Sequence, residues 1–156
     1  MWCVIDMQGY GNTEKNFIPK EVVLCGENAF EKFIISPQKN LWEYAQKDRA
    51  LISWATNKYH NIPYNYGETT LEEFNHLIHF AASKYERIYA KGRGKIKYLT
   101  HLLARPICDL SSSACPTIRR DVGPPCRIHT KETAHCAEAN AKFMQLWIAA
   151  HLERPS

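Results

Sequence analysis

The stretch "WCVIDMQGY", residues 2–10, is rich in β-branched and aromatic side chains and closes on a glycine and a tyrosine. This composition is typical of a buried strand, which would carry Asp6 near its end. "KEVVLCG" at residues 20–26 and "FEKFIISP" at residues 30–37 have the same character, and the turn-like "GENA" joins them. The N-terminal part of the chain therefore predicts an antiparallel meander of three strands.

The middle of the chain changes from strand to helix patterning. Apolar residues recur near helical spacing within residues 41–60 and again within residues 69–85, which predicts two helices. "ERIYAKG" at 86–92, "RGKIKYLTHLLA" at 93–104 and "PICDL" at 106–110 then predict a strand, a helix and a strand. We interpret this second part as a βαβ unit.

A last helix is predicted from about Ala134 to Leu152, after an irregular loop between Ser111 and Thr133. Its expected apolar stripe consists of Ala137, Phe143, Leu146, Trp147 and Ala150. The resulting order, βββ, α, α, β, α, β, α, is the order of the ribonuclease H-like fold. We therefore predict an α/β fold with a mixed five-stranded sheet flanked by helices.

Composition limits the organisation of the chain and its location. With 156 residues and 45% hydrophobic composition, we expect a single domain over residues 1–156. The net charge of +4 is mildly basic and is compatible with nucleic-acid binding. The sequence has no leader pattern and no apolar run suited to a bilayer, so we expect no membrane association and an intracellular protein, cytoplasmic, nuclear or both. Six cysteines in that reducing setting favour free thiols or metal ligands over disulfides.

The segment "PPCRIHTKETAHCAEAN", residues 124–140, carries the strongest chemical signal. Two residues separate Cys126 from His129, and six residues separate His129 from Cys136. Thiolate and imidazole ligands at short spacings suit tetrahedral zinc. The residues alone leave the fourth ligand open among water, Cys115, His135 and a carboxylate. The alternative interpretation is that these side chains are simply packed in the core.

These residues resemble a known family. "IPKEVVL" with Glu21, "CRIH" with Cys126 and His129, and "HCAEAN" with Cys136 resemble the Glu-Cys-His-Cys zinc motif of Maelstrom domains, a divergent branch of the DnaQ-type exonuclease superfamily in the piRNA pathway. The resemblance implies zinc held by these four residues, single-stranded RNA as ligand, and protein partners in RNA silencing. The chain is also similar to small arthropod and mobile-element proteins that begin "VIDMQG" and contain "IYAKG"-like segments, which implies mobile-element complexes as an alternative setting.

The same superfamily implies where exonuclease carboxylates would lie. Asp6 is present at the first position, but Gln8 replaces the expected Glu and Lys95 replaces the middle Asp. His135 and Asn140 keep the His-x4 spacing, with Asn in place of the final Asp. Two Mg²⁺ ions need several anionic oxygens, and one carboxylate remains where four are usual. We therefore interpret these five positions as the remnant of a lost catalytic centre.

A basic segment around "KGRGKIK" is the best nucleic-acid signal in the chain. Its cations surround two glycines near a helix start, where phosphate can also meet backbone amides. The predicted RNA-binding residues are Arg87, Lys91, Arg93, Lys95, Lys97, Tyr64 and Tyr66. Arg119 and Arg120 form a weaker second patch. The alternatives are a solvated helix face for the charges and core-edge packing for the tyrosines.

Three functional hypotheses follow from these patterns. The first is a zinc-stabilised, catalytically degenerate domain that binds single-stranded RNA in RNA silencing or mobile-element biology. The second is an unconventional ribonuclease that cleaves single-stranded RNA without the exonuclease carboxylates. The third is a protein-interaction module built on an inactive exonuclease fold.

Overall fold

The computed structural model describes residues 1–11, 17–116, 124–131 and 134–153. Its centre is one five-stranded sheet with the strand order β3-β2-β1-β4-β5. The strands are β1 (Trp2–Tyr10), β2 (Ile18–Gly26), β3 (Phe30–Ile34), β4 (Arg87–Ala90) and β5 (Cys108–Asp109). The predicted Arg119–Arg120 patch lies outside the described residues.

The sheet is mixed, as predicted. β1 pairs antiparallel with β2, and β2 pairs antiparallel with β3, which confirms the N-terminal meander. β4 runs parallel to β1 on its other side, and β5 runs parallel to β4, which confirms the βαβ unit. β1 is therefore the central strand, with hydrogen-bonded neighbours on both sides.

Within the described residues, four α-helices flank the sheet. They are α1 (Gln46–Trp54), α2 (Leu71–Ala82), α3 (Arg93–Leu103) and α4 (Ala137–His151). The predicted helix over 41–60 is divided into a 3-10 turn (Leu41–Glu43), α1 and a π-helical turn (Ala55–Tyr59), because Tyr44 and Ala45 have extended backbone. No helix in the described ranges has the length and apolar character that crossing a bilayer requires.

The prediction for α4 was wrong in its start and partly wrong in its buried face. The helix begins at Ala137 because Cys136 is its N-cap, with a sulfur that accepts the N–H of Ala139. Its buried residues are Ala137, Asn140, Ala141, Met144 and Ile148, whereas Leu146 is 69% exposed. Phe143 and Trp147 of the predicted stripe are partly buried at the edge of the same core, so the buried face is turned away from the predicted one.

The two faces of β1 support separate cores. Cys3, Ile5 and Met7 pack with residues of α2 and α3 on one face. Trp2 and Val4 pack with residues of α4 on the other. Because side chains alternate along a strand, Asp6 and Gln8 continue the α4 face. Asp6 is buried in the middle of β1, not near its end as the sequence predicted.

A β-bulge distorts the β1–β2 pair beside these polar residues. Gln8 pairs with Glu21 and Gly9 pairs with Pro19, so Lys20 has no partner across the ladder. A bulge of this kind redirects side chains. Lys20 is fully buried, and its ammonium donates hydrogen bonds to the carbonyls of Ile35 (3.0 Å), Tyr64 (2.8 Å) and Tyr66. The lysine therefore joins β2 to the loop that precedes α2.

We expect Lys20→Met to lower the free energy of unfolding by about 2–3 kcal/mol, because it leaves several carbonyls without a donor. Urea unfolding followed by far-UV circular dichroism measures the change. Lys47→Met is the matched control, since Lys47 is exposed on α1. Equal stability of the two variants would show that the buried ammonium does not hold the loop.

Candidate functional site

A cluster of four potential metal ligands lies between β2 and the start of α4. Glu21, Cys126, His129 and Cys136 place their ligand atoms within 4.8 Å of one another. The Glu21 carboxylate is central, because its Oε2 lies 3.2 Å from Cys126 Sγ, 3.8 Å from Cys136 Sγ and 3.4 Å from His129 Nε2. The structure thus brings together the four residues that the motif predicted, across more than a hundred residues of chain.

Backbone contacts orient the cluster. His129 Nδ1 faces the carbonyl of His60 and therefore donates to it, which leaves Nε2 directed at Glu21. Cys136 Sγ accepts the N–H of Cys126 at 3.3 Å. Glu21 Oε1 accepts the N–H of Ala137 at 2.8 Å, in the first turn of α4. Each ligand is thus held in place by a contact outside the cluster or across it.

Glu21 is buried as an anion beside a protonated His129 ring. Burial raises the pKa of Glu21, but hydrogen bonds from His129 and Ala137 outweigh it and hold that pKa below its ordinary value. Burial lowers the pKa of His129, yet contacts with Cys126 and Glu21 outweigh it and raise the pKa to about 10. The hydrogen bond with Cys126 lowers the pKa of Cys136. The imidazolium of His129 thus supplies the positive charge that the buried Glu21 carboxylate needs, a role that a metal ion at this position would take over.

The donor set fits a metal ion. Two sulfur atoms, one imidazole nitrogen and one carboxylate oxygen are a tetrahedral set for a borderline-soft divalent ion. Because Nδ1 donates to the His60 carbonyl, Nε2 is the ring nitrogen that would ligate a metal ion after losing its proton. The cluster can therefore hold a metal ion between β2, the segment 126–131 and the start of α4.

A second polar group surrounds Asp6, where the sequence placed the remnant of a catalytic centre. Lys95 Nζ lies 2.8 Å from Asp6 Oδ1, and Asn140 Nδ2 donates to Asp6 Oδ2 at 3.0 Å. Asp6 is on β1, Lys95 is in the first turn of α3 and Asn140 is in α4. Both carboxylate oxygens therefore have partners from the protein itself.

The remaining remnant positions lie apart from this pair. Gln8 is buried and lines a neighbouring cavity. The ring of His135 stacks on Tyr59 with centroids 3.9 Å apart, and its backbone N–H donates to the Tyr59 carbonyl. A site for two divalent cations needs several free anionic oxygens, and here Asp6 is already paired with an ammonium group.

A cavity of about 380 Å³ opens beside Gln8 and Lys95. The residues that line it come from β1, the segment before β2, α1 with the π-helical turn, and the start of α3; they are Met7, Gln8, Gly9, Gly11, Phe17, Leu51, Trp54, Ala55, Tyr59, Gly92, Gly94 and Lys95. Sequence reasoning missed its aromatic wall of Trp54 and Tyr59. The available signal was Leu51 and Trp54, two large apolar side chains one turn apart on the exposed side of α1.

The metal-ligand segment and the aromatic wall are hydrogen-bonded to each other. Thr130 N–H donates to the Asn61 carbonyl at 2.8 Å, and His135 N–H donates to the Tyr59 carbonyl at 3.0 Å. The Asn61 and Tyr59 carbonyls therefore accept hydrogen bonds from Thr130 and His135, which flank positions 131–134. These hydrogen bonds join the segment that carries the candidate ligands to the segment that carries Tyr59 of the cavity wall.

The predicted RNA-binding residues divide into exposed and paired groups. Arg93 and Lys97 are exposed on α3. Lys91 donates to the Cys115 carbonyl at 3.1 Å, and Lys95, 27% exposed, is directed inward to Asp6. The Arg87 guanidinium makes a bidentate salt bridge with the Glu153 carboxylate. Only Arg93 and Lys97 among these five cations have no protein partner within the described ranges.

The two tyrosines predicted to contact RNA lie in the loop before α2. Tyr64 packs against Tyr10 and Tyr44, and its hydroxyl donates to the Lys39 carbonyl at 2.6 Å. Tyr66 is exposed, with its hydroxyl 3.3 Å from Glu68. Their role in RNA binding stays a prediction.

No protein-family model matches the chain, and no curated protein sequence matches it. The fold is similar to that of E. coli exonuclease I, solved in complex with a dT13 oligonucleotide, with a TM-score of 0.51 and 13% sequence identity. The match covers 98% of this chain and 42% of the exonuclease I chain. The likeness establishes the fold, and the predicted ribonuclease H-like α/β architecture is confirmed.

We expect Lys95→Met to lower the free energy of unfolding by about 2–4 kcal/mol, because the buried Asp6 carboxylate loses its cationic partner. The double variant Asp6→Asn/Lys95→Met should recover most of that loss, since it removes the uncompensated charge. Lys97→Met, on the exposed side of the same helix, is the control and should stay within about 0.5 kcal/mol of the parent. Chemical denaturation of the four proteins measures these differences, and equal loss in the single and double variants would contradict the pairing.

Proposed function

We propose that residues 1–156 form one zinc-binding, catalytically degenerate ribonuclease H-like domain that binds single-stranded RNA inside the cell. The observation that carries the proposal is the pairing of Asp6 with Lys95 and Asn140 at the position of the exonuclease carboxylates. The fold keeps the architecture of a nuclease while the residue that would ligate Mg²⁺ is neutralised by the protein itself. On this proposal the fold serves as a binding surface for single-stranded RNA.

Zinc is the metal we propose for the cluster. Its preference for thiolate and imidazole with a carboxylate matches Glu21, Cys126, His129 and Cys136. With four protein ligands the site would be closed, so the ion would supply a cross-link and no activated water. That cross-link would join β2 to the start of α4 and to the segment that contacts residues 57–61.

Single-stranded RNA is the ligand we propose, for two reasons. Arg93 and Lys97 present free cations at the start of α3, next to the cavity that Trp54 and Tyr59 line. Cations beside exposed aromatic rings are the usual combination for single strands, because phosphates and bases are then met together. Exonuclease I, the structural neighbour, was solved with a dT13 oligonucleotide, which supports the proposal that this fold binds single-stranded nucleic acid.

The biological setting we propose follows from the Maelstrom-like motif. A cluster of that composition, combined with the neutralised Asp6, supports membership of a Maelstrom-like branch. On this proposal the domain works in RNA-silencing or mobile-element complexes, in the cytoplasm or nucleus, with protein partners beside the RNA.

Purified tag-free protein should contain about one zinc ion per chain, measured by inductively coupled plasma mass spectrometry. Cys126→Ser should lose most of the zinc and melt at a lower temperature, because one of four ligands is removed. Cys108→Ser is the control, since Cys108 is exposed on β5 outside the cluster. A strong chelator should destabilise the parent and the control but leave Cys126→Ser unchanged. If the parent contained no zinc as purified and had the same stability as Cys126→Ser, the zinc proposal would be overturned.

Arg93→Glu/Lys97→Glu should bind fluorescein-labelled single-stranded RNA more weakly than the parent. The slope of log affinity against log salt should shrink by about 1.4, from two lost phosphate contacts. Lys39→Glu/Lys142→Glu carries the same change of charge at other exposed positions and should bind like the parent. Fluorescence anisotropy at several salt concentrations makes the measurement.

The same RNA should stay intact after long incubation with the zinc-loaded parent protein in buffer without added Mg²⁺ or Mn²⁺. Cleavage that scales with protein and disappears in Arg93→Glu/Lys97→Glu would instead support an unconventional ribonuclease. Absence of RNA binding by the parent would overturn the proposal and favour a protein-interaction module.

A further inference from the structure

We infer that Cys126 and Cys136 form a site of oxidative modification, at which a peroxide joins the two sulfurs as a disulfide and so dismantles the ligand set. The inference rests on the proposed zinc site and deepens it, because it states how the occupancy of that site is regulated. A site with two sulfur ligands holds a metal ion while both sulfurs are reduced, since the thiolate is the ligand and a disulfide carries no such charge.

The two sulfur atoms already lie close to each other. Both contact the same carboxylate oxygen, Oε2 of Glu21, at 3.2 Å for Cys126 Sγ and 3.8 Å for Cys136 Sγ. They belong to the set of ligand atoms that lie within 4.8 Å of one another. The backbone N–H of Cys126 also donates to Cys136 Sγ at 3.3 Å. Because a disulfide bond is about 2.0 Å long, the sulfurs need to approach by less than about 3 Å.

The segment that carries Cys126 can supply this approach. Residues 124–126 belong to no helix or strand, and a turn follows at residues 127–128. Cys136, in contrast, is held as the N-cap of α4, where its sulfur accepts the N–H of Ala139 at 3.5 Å. Rotation of the Cys126 side chain with a small shift of its segment therefore closes the gap while α4 keeps its position.

The two cysteines differ in their access to solvent. Cys126 is partly exposed, whereas Cys136 is 2% exposed. An oxidant from solvent therefore reaches the Cys126 sulfur first, and the Cys136 sulfur lies behind it to complete the reaction. An accessible cysteine next to a second, resolving cysteine is the usual arrangement of a redox-sensitive pair.

The reaction balances with hydrogen peroxide as the oxidant. The Cys126 thiolate attacks one peroxide oxygen, the O–O bond breaks, and the products are a Cys126 sulfenic acid and hydroxide. The Cys136 thiolate then attacks the Cys126 sulfur, which forms the S–S bond, breaks the S–O bond and releases a second hydroxide. The two thiolates together lose two electrons to the peroxide, and two protons from solvent convert both hydroxides to water. Of the four ligands, Glu21 and His129 then remain.

The test exposes zinc-loaded full-length protein to hydrogen peroxide and follows the released zinc with a chromogenic chelator. Free thiols are then blocked with N-ethylmaleimide, and the protein is digested with trypsin. Trypsin cleaves after Arg127 and Lys131, so the two cysteines fall into separate peptides that a disulfide would join. Mass spectrometry should detect this joined peptide in an amount that rises in parallel with the released zinc. Dithiothreitol followed by added zinc should restore the ion and the melting temperature, because a disulfide is reversible.

Two variants serve as controls. Cys108→Ser removes an exposed thiol on β5 outside the cluster, so it should release zinc and form the joined peptide like the parent. Cys126→His keeps a nitrogen ligand for zinc but removes one of the two sulfurs, so it should retain its zinc under the same treatment. Zinc release from Cys126→His as fast as from the parent would contradict the inference.

The outcomes separate this inference from the proposed function. If the parent holds zinc, and peroxide that fully oxidises Cys108 neither releases the ion nor joins the two peptides, the redox inference is overturned and the zinc site stands. If the parent holds no zinc but peroxide still joins Cys126 to Cys136, the cysteine pair stands and the zinc proposal falls. If the parent holds no zinc and the peptides stay separate, both are overturned.

Discussion

Burial of two carboxylates on one face of the sheet is the constraint on which the rest of this structure depends. Asp6 and Glu21 both face α4, and an uncompensated buried carboxylate would be very costly. Asp6 is compensated by the Lys95 ammonium and the Asn140 amide, and Glu21 by His129 and the first turn of α4. These contacts draw β1, β2, α3, α4 and the loop before α4 to one place.

The two compensated carboxylates differ in what surrounds them. At Asp6 the Lys95 ammonium and the Asn140 amide contact the two carboxylate oxygens. At Glu21 the surrounding sulfur and imidazole groups form a set that could hold a metal ion. The two groups lie on the same face of the sheet, and each joins the sheet to α4.

The cluster also acts on the cavity, because the segment that carries His129 is bonded to residues 57–61. Residues 57–61 include Tyr59, whose ring stacks with those of Trp54 and His135. α1 packs through Ile52 and little else, so the wall it forms depends on the residues that follow it.

The sequence by itself determined the strand meander and the βαβ unit, because alternation and turn residues are local signals. Short spacing also marked Cys126, His129 and Cys136 as candidate ligands, whereas Glu21 came only from the resemblance to the Maelstrom motif. The interpretation of Asp6, Gln8, Lys95, His135 and Asn140 as the remnant of a catalytic centre stays a prediction. Only the tertiary structure decided four other features. They are the buried lysine at the bulge, the buried face of α4, the inward direction of Lys95 and the aromatic wall at Trp54. Each of these depends on a contact between distant parts of the chain: Lys20 reaches carbonyls of the loop before α2, and Lys95, at the start of α3, reaches Asp6 on β1. Local sequence patterns carry no information about these long-range contacts, because the partners are tens of residues apart and packing brings them together.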